Sequence, residues 1–144
     1  MSPEAGEAYL VFRAGGERLG LAVDQVQGVA RARQIVPLPG APPEYAGVTF
    51  VRGEPLGVLD AVRALGCRPE ATVRSGGAGG RFLVILEGER HALLVDRIES
   101  VEEIPAEALT PALAESGIVR GIVSSGESAL RIVSVDEVLG GGKR

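Results

Sequence analysis

The sequence predicts an all-β fold, two five-stranded barrels packed together with short helical turns, and three observations predict it. The apolar residues, 45% of the chain, are almost all Val, Leu, Ile and Ala, with no Trp, two Tyr and three Phe. Such a composition suits strands that pack small aliphatic side chains. The stretch GERLGLAVDQVQGV at residues 16–29 returns as GERHALLVDRIESV at residues 88–101, with seven of the fourteen aligned positions identical. In both copies short apolar runs flank a glycine turn, the pattern of an antiparallel hairpin.

Each element follows in chain order. Tyr9–Arg13 and Arg18–Val23 flank Gly15-Gly16, and Phe82–Leu86 and Ala92–Val95 flank Gly88-Glu89 in the same way. The likeness continues downstream, where Ala46-Gly47-Val48 matches Arg120-Gly121-Ile122, Val58-Leu59 matches Ile132-Val133, and Gly66 falls opposite Gly140. Asp24, Asp60, Asp96 and Asp136 each end an apolar run and open a segment with apolar residues near helical spacing, so all four are expected to cap short helical turns. Thr110–Ser116, with proline directly after threonine, is a further expected helix start. The expected organisation is a single domain over 8–140, with tails at 1–7 and 141–144. The Gly-rich connection RSGGAGG at 74–80 divides a first barrel, mainly 8–73, from a second, mainly 81–140. Whether the barrels exchange strands is left open. A unit of some 60 residues buries only about 60% of its unfolded surface, so the two are expected to pack on one another and leave a groove along the seam.

Composition narrows the function classes. A net charge of −4 with singly scattered basic residues argues against nucleic acid. Cys67 stands alone, which excludes an internal disulfide and a cysteine-cluster metal site. The opening MSPEAGEAYLVF has no charged-then-apolar signal pattern, and no apolar run reaches the roughly 18 residues of a membrane span. The expectation is a cytoplasmic protein without direct membrane insertion. No catalytic residue, cofactor or metal site is assigned. His91 is the sole histidine, and with Leu19 as its counterpart it reads as a half-buried strand residue. SGGAGG lacks the Lys and Ser/Thr of a phosphate loop, and Ser124-Ser125 sit where a hairpin turn wants serine.

The copies differ most at residues 35–63, where the prolines Pro37, Pro39, Pro42 and Pro43 lead into a hairpin, GVTFV then PLGVL, turning at Arg52-Gly53-Glu54. The partner hairpin has Gly126-Glu127 in place of Arg52-Gly53. An arginine beside a tight turn in one copy alone is harder to ascribe to folding than a residue kept in both.

These residues carry a family resemblance. YLVF, then Gly20 and Val26, then the proline run ending in G-V-T-x-x-R-G, then V-L-D, resemble the CheW family of bacterial chemosensory coupling proteins. LLVDRIESV, Gly121-Ile122 and IVSVDEVL extend the likeness across about residues 9–139. The resemblance implies two SH3-like barrels around a shared apolar seam. It also implies a non-enzymatic adaptor between the cytoplasmic tip of a methyl-accepting chemoreceptor and the regulatory domain of a CheA-type histidine kinase, recruited to receptor arrays. By position it implies a receptor-binding surface on Thr49, Phe50, Arg52 and Gly53, with Val26 beside it. The chain departs from the family where Phe50 replaces the usual Asn, Gly57 a Pro, Ala61-Val62 a Leu-Arg and Gly28 a Glu. These departures suggest a divergent member whose partner choice has changed, or which keeps one of the two partner surfaces. From other classes, a small-ligand barrel or enzyme using His91 or Asp96 and a binder of proline-rich peptides are the competing readings.

Overall fold

The computed structural model describes residues 7–65, 81–88, 90–105, 110–111, 119–125 and 128–133. Eleven strands and one short helix are defined there: β1 (Glu7–Ala14), β2 (Glu17–Ala22), β3 (Val26–Arg31), β4 (Tyr45–Val51), β5 (Glu54–Asp60), α1 (Ala61–Ala64), β6 (Phe82–Leu86), β7 (His91–Val95), β8 (Arg97–Ile104), β9 (Thr110–Pro111), β10 (Val119–Ser125) and β11 (Ser128–Val133). They form two sheets, one of six strands in the order β8-β1-β2-β11-β10-β9 and one of five in the order β3-β6-β7-β5-β4. The all-β class is borne out.

The expected hairpins form, β1 with β2 and β6 with β7. Their apolar runs are continuous rather than alternating because these strands are covered on both faces. Tyr9 and Val11 of β1 point into a cluster with Ala22, Ile104, Leu130 and Ile132, inside the six-stranded sheet. Leu83 and Ile85 of β6 do the same in the five-stranded sheet, with Leu56, Val58, Ala92 and Leu94. The alternate residues, Leu10, Phe12, Leu19 and Leu21 from one sheet and Val84, Leu86, Leu93 and Val95 from the other, meet in a third cluster between the sheets. An apolar seam therefore joins the two units.

The topology is a reciprocal exchange. The first hairpin, β1-β2, is flanked by β8 and β11 from after the Gly-rich segment, while β6-β7 is flanked by β3 and β5 from before it. Registers repeat residue for residue. β4 slips against β5 between Tyr45 and Gly47, and β10 against β11 between Val119 and Gly121. Val36 bridges Val48 as Thr110 pairs with Ile122. Gly47 makes the first of these bridges possible. It sits at φ 146°, and a Cβ on it would overlap the Val36 carbonyl oxygen, which accepts a 2.8 Å hydrogen bond from the Val48 N–H.

The aspartate expectation holds at one position and fails at two. Asp60 caps α1, its carboxylate accepting the Val62 N–H at 3.0 Å. Asp24 instead lies inside a single 3-10 turn, Val23–Gln25, with no side-chain cap bond, and the chain then extends as β3. Asp96 accepts the Gly15 N–H at 2.7 Å from another strand's turn and directly precedes β8. Helical spacing at Val26 and Val29 misled because each segment completes the edge of a sheet, and a full ladder of backbone bonds outweighs one helical turn. Asp136, Gly66 and Gly140 lie outside the described residues. Thr110–Pro111 is strand rather than helix start, and 112–116 lie outside as well. No helix among the described residues is long and apolar enough to cross a membrane.

Candidate protein-interaction groove

The β4-β5 hairpin closes on two residues, because Val51 pairs with Glu54 and leaves Arg52-Gly53 as the turn, one residue shorter than expected. Both have positive φ, 54° and 79°, as this tight turn requires. Glycine accepts that backbone freely, whereas an arginine there costs on the order of 1–2 kcal/mol. The fold thus holds a cation at the hairpin tip against its backbone preference, which marks Arg52 as a functional candidate.

Strand alternation sorts the other expected residues. Thr49 faces inward at 3% exposure, and its hydroxyl donates to the Gln34 carbonyl at 2.8 Å. It anchors the segment after β3 rather than presenting a surface. Phe50 faces out at 64% exposure, opposite Pro55, and shares its face with exposed Val36. Val26 is half buried against the seam between the sheets.

Beside the turn is a groove of about 560 Å³ lined by Gln27, Gly28, Val29 and Ala30 of β3, Val51, Arg52, Glu54 and Leu56 of the hairpin, Ile85 of β6, and Arg90. Both edge strands of the five-stranded sheet, β3 and β4, contribute to its lining. Arg52 alone of the expected site residues lines the groove, while Phe50 and Gly53 flank it and Val26 adjoins Gln27. Sequence reasoning missed Gln27–Ala30 and Arg90. Among the described residues neither Arg52 nor Arg90 has an ion-pair partner, although Glu54 shares the groove.

His91 supports no reaction chemistry here. Its Nε2 lies 2.9 Å from the Tyr45 hydroxyl, the two rings are tilted at 59°, and Nδ1 is buried without a hydrogen-bond partner among the described residues. Gly57 makes room for this pair, since a Cβ there would lie 3.1 Å from the His91 ring. The Gly57 N–H also donates to the Arg90 carbonyl at 2.9 Å. Gly57→Pro, which restores the family's usual residue, is therefore expected to destabilise this protein by about 2 kcal/mol or more, through a lost ladder bond and a crowded ring. A denaturant titration checks it, and His91→Ala in the same chain should recover the crowding part alone.

The CheW-like domain family matches residues 8–142. The chain belongs to the CheW-like family. Protein FrzA of Myxococcus xanthus is 33% identical over 140 residues, covering 92% of this chain and 85% of that protein. Chemotaxis protein CheW of Treponema pallidum (strain Nichols) is 25% identical over 136 residues, 90% and 79% of the two chains. The crystal structure of scaffolding protein TtCheW from Thermoanaerobacter tengcongensis superposes with a TM-score of 0.77 at 20% identity, covering 90% of this chain and 85% of that one, a likeness of fold. The protein is accordingly a CheW-like protein of chemotaxis-type signalling and not an enzyme. The enzymatic readings of His91 and Asp96 fall away with that assignment.

Proposed function

We propose that this CheW-like protein is a cytoplasmic adaptor that couples the cytoplasmic tip of a methyl-accepting chemoreceptor to the regulatory domain of a CheA-type histidine kinase, within receptor arrays. The observation that carries the receptor half is Arg52, held at positive φ beside a groove with no ion-pair partner among the described residues. A receptor tip is a helical hairpin. Its apolar side chains fit Val29, Val51, Leu56 and Ile85, and a carboxylate or helix-end carbonyl suits Arg52. The kinase half is supported by family membership. Phe50, where the family usually has Asn, adds apolar area worth on the order of 2 kcal/mol if a partner covers it, which supports a changed partner preference.

The test is size-exclusion co-elution with a receptor-tip fragment and, separately, with the kinase regulatory domain. Arg52→Glu is expected to weaken receptor-tip binding roughly tenfold or more while kinase binding and the melting curve stay as in the wild type. Unchanged receptor binding would remove Arg52 from the site. Loss of binding to both partners with an intact fold would contradict two separate surfaces.

A further inference from the structure

The repeat lets the groove be compared with its counterpart in the other sheet. In the alignment of residues 16–29 with 88–101, Arg18 corresponds to Arg90 and Gln27 to Glu99; extended forward, it matches Ala30 with Glu102, and because the first hairpin turn is two residues longer, Arg13 corresponds to Glu87. The backbone obeys the same correspondence, because β3 slips against β6 between Val26 and Gly28 just as β8 slips against β1 between Ile98 and Ser100.

In the six-stranded sheet these four positions form a closed charge network. Arg13 Nε lies 2.6 Å and Arg18 Nε 3.0 Å from the two carboxylate oxygens of Glu99, and Arg18 also reaches Glu102 at 3.7 Å. Burial pushes the Glu99 carboxyl up, but the hydrogen bonds and charges of the two arginines outweigh it and hold the group below its ordinary value. In the five-stranded sheet three of these positions, Arg90, Gln27 and Ala30, line the groove, and the fourth is Glu87. Arg90 keeps the cation of Arg18, the two carboxylates of β8 are replaced by Gln27 and Ala30, and Glu87 stands in the place of Arg13 without an ion pair to Arg90 among the described residues. With Arg52 and Arg90 against Glu54, the groove is locally cationic in a chain of net charge −4.

We propose that Arg90 is an anchor for a carboxylate that the partner supplies, and that the groove takes an acidic amphipathic helix setting Asp or Glu against Arg90 and apolar side chains against Ile85 and Ala30. This rests on the reading of the groove as the receptor site. The partner's carboxylate does in trans what Glu99 does in cis for Arg18. The sheet with the closed network offers no such vacancy, so one of two similar units is left to bind.

The test uses the full chain and a receptor-tip fragment, with affinity read by anisotropy. Arg90→Ala and Gln27→Glu, the second rebuilding a carboxylate partner within the chain, are each expected to weaken binding roughly tenfold. Added salt should weaken the wild type more than Arg90→Ala. An Asp or Glu of the tip changed to Lys should recover binding to Arg90→Glu. Gln27 is exposed, so its variant keeps the fold even should the arginine variants not. Wild-type binding that Arg52→Glu weakens but Arg90→Ala and Gln27→Glu leave within twofold overturns this inference alone. No wild-type binding to the tip overturns the receptor reading and the inference together.

Discussion

Dividing the chain within residues 74–80 is expected to leave neither half folded alone, whereas the two halves produced together re-form the native protein. The topology dictates this outcome. A half ending before the Gly-rich segment holds the β1-β2 hairpin but lacks β8 and β11, which cover both of its edges. It also holds β3, β4 and β5 but lacks β6 and β7, to which β3 and β5 bond. Val11, Phe12, Leu19 and Leu21, each fully buried in the intact chain, would then face water. Exposing a single side chain of that size costs about 1.5–3 kcal/mol, so several of them exceed the 5–15 kcal/mol that stabilises an ordinary domain. Circular dichroism of each half, and of the pair, checks the prediction. A cooperative melt for either half alone would mean that the exchanged strands are dispensable.

Gly47→Ala is expected to destabilise the protein by about 3 kcal/mol, combining a strained φ with overlap against main chain. Gly47 holds φ 146°, and the atom in its way is the Val36 carbonyl oxygen, which is part of the backbone and cannot rotate aside. The alanine must therefore break the paired Val36–Val48 hydrogen bonds, both 2.8 Å, or shift β4. A fall of roughly 10 °C in the melting temperature is the corresponding signal. Gly28→Ala is the control. Nothing lies within 4 Å of its Cβ position, and its stability should stay within about 1 kcal/mol of the wild type. Because β4 carries Phe50 and leads into Arg52, Gly47→Ala should also weaken partner binding, and a melt matching the wild type would refute the close approach of the two segments.

One residue of the groove, Arg52, was legible in the sequence for a physical reason. Arg52-Gly53 stood out because the other copy has a different turn, and an asymmetry between duplicated units marks what folding does not require. Arg90 stayed hidden for the opposite reason, since GER occurs in both copies. Its significance lies in the groove it shares with Gln27 and Ala30, which stand where the other sheet has Glu99 and Glu102, and only the tertiary structure brings these residues together. Thr49 was read as surface from its place in the G-V-T-x-x-R-G segment. Alternation along β4 turns it inward and leaves Phe50 outside.

The sequence by itself determined the hairpins and their turns, because these depend on neighbours a few residues apart and on apolar runs that need cover on both faces. The tertiary structure decided which copy's later strands complete which sheet. Two copies so alike offer nearly the same edges to either set, so local pattern does not choose. Chain reach does. β8 begins one residue after β7 ends, and a residue spans at most about 3.6 Å. Reaching the far edge of the β6-β7 hairpin would mean crossing two strand spacings of about 4.8 Å each. The chain passes instead to the edge of β1, and the duplicated halves become two interlocked sheets, the five-stranded one carrying the groove.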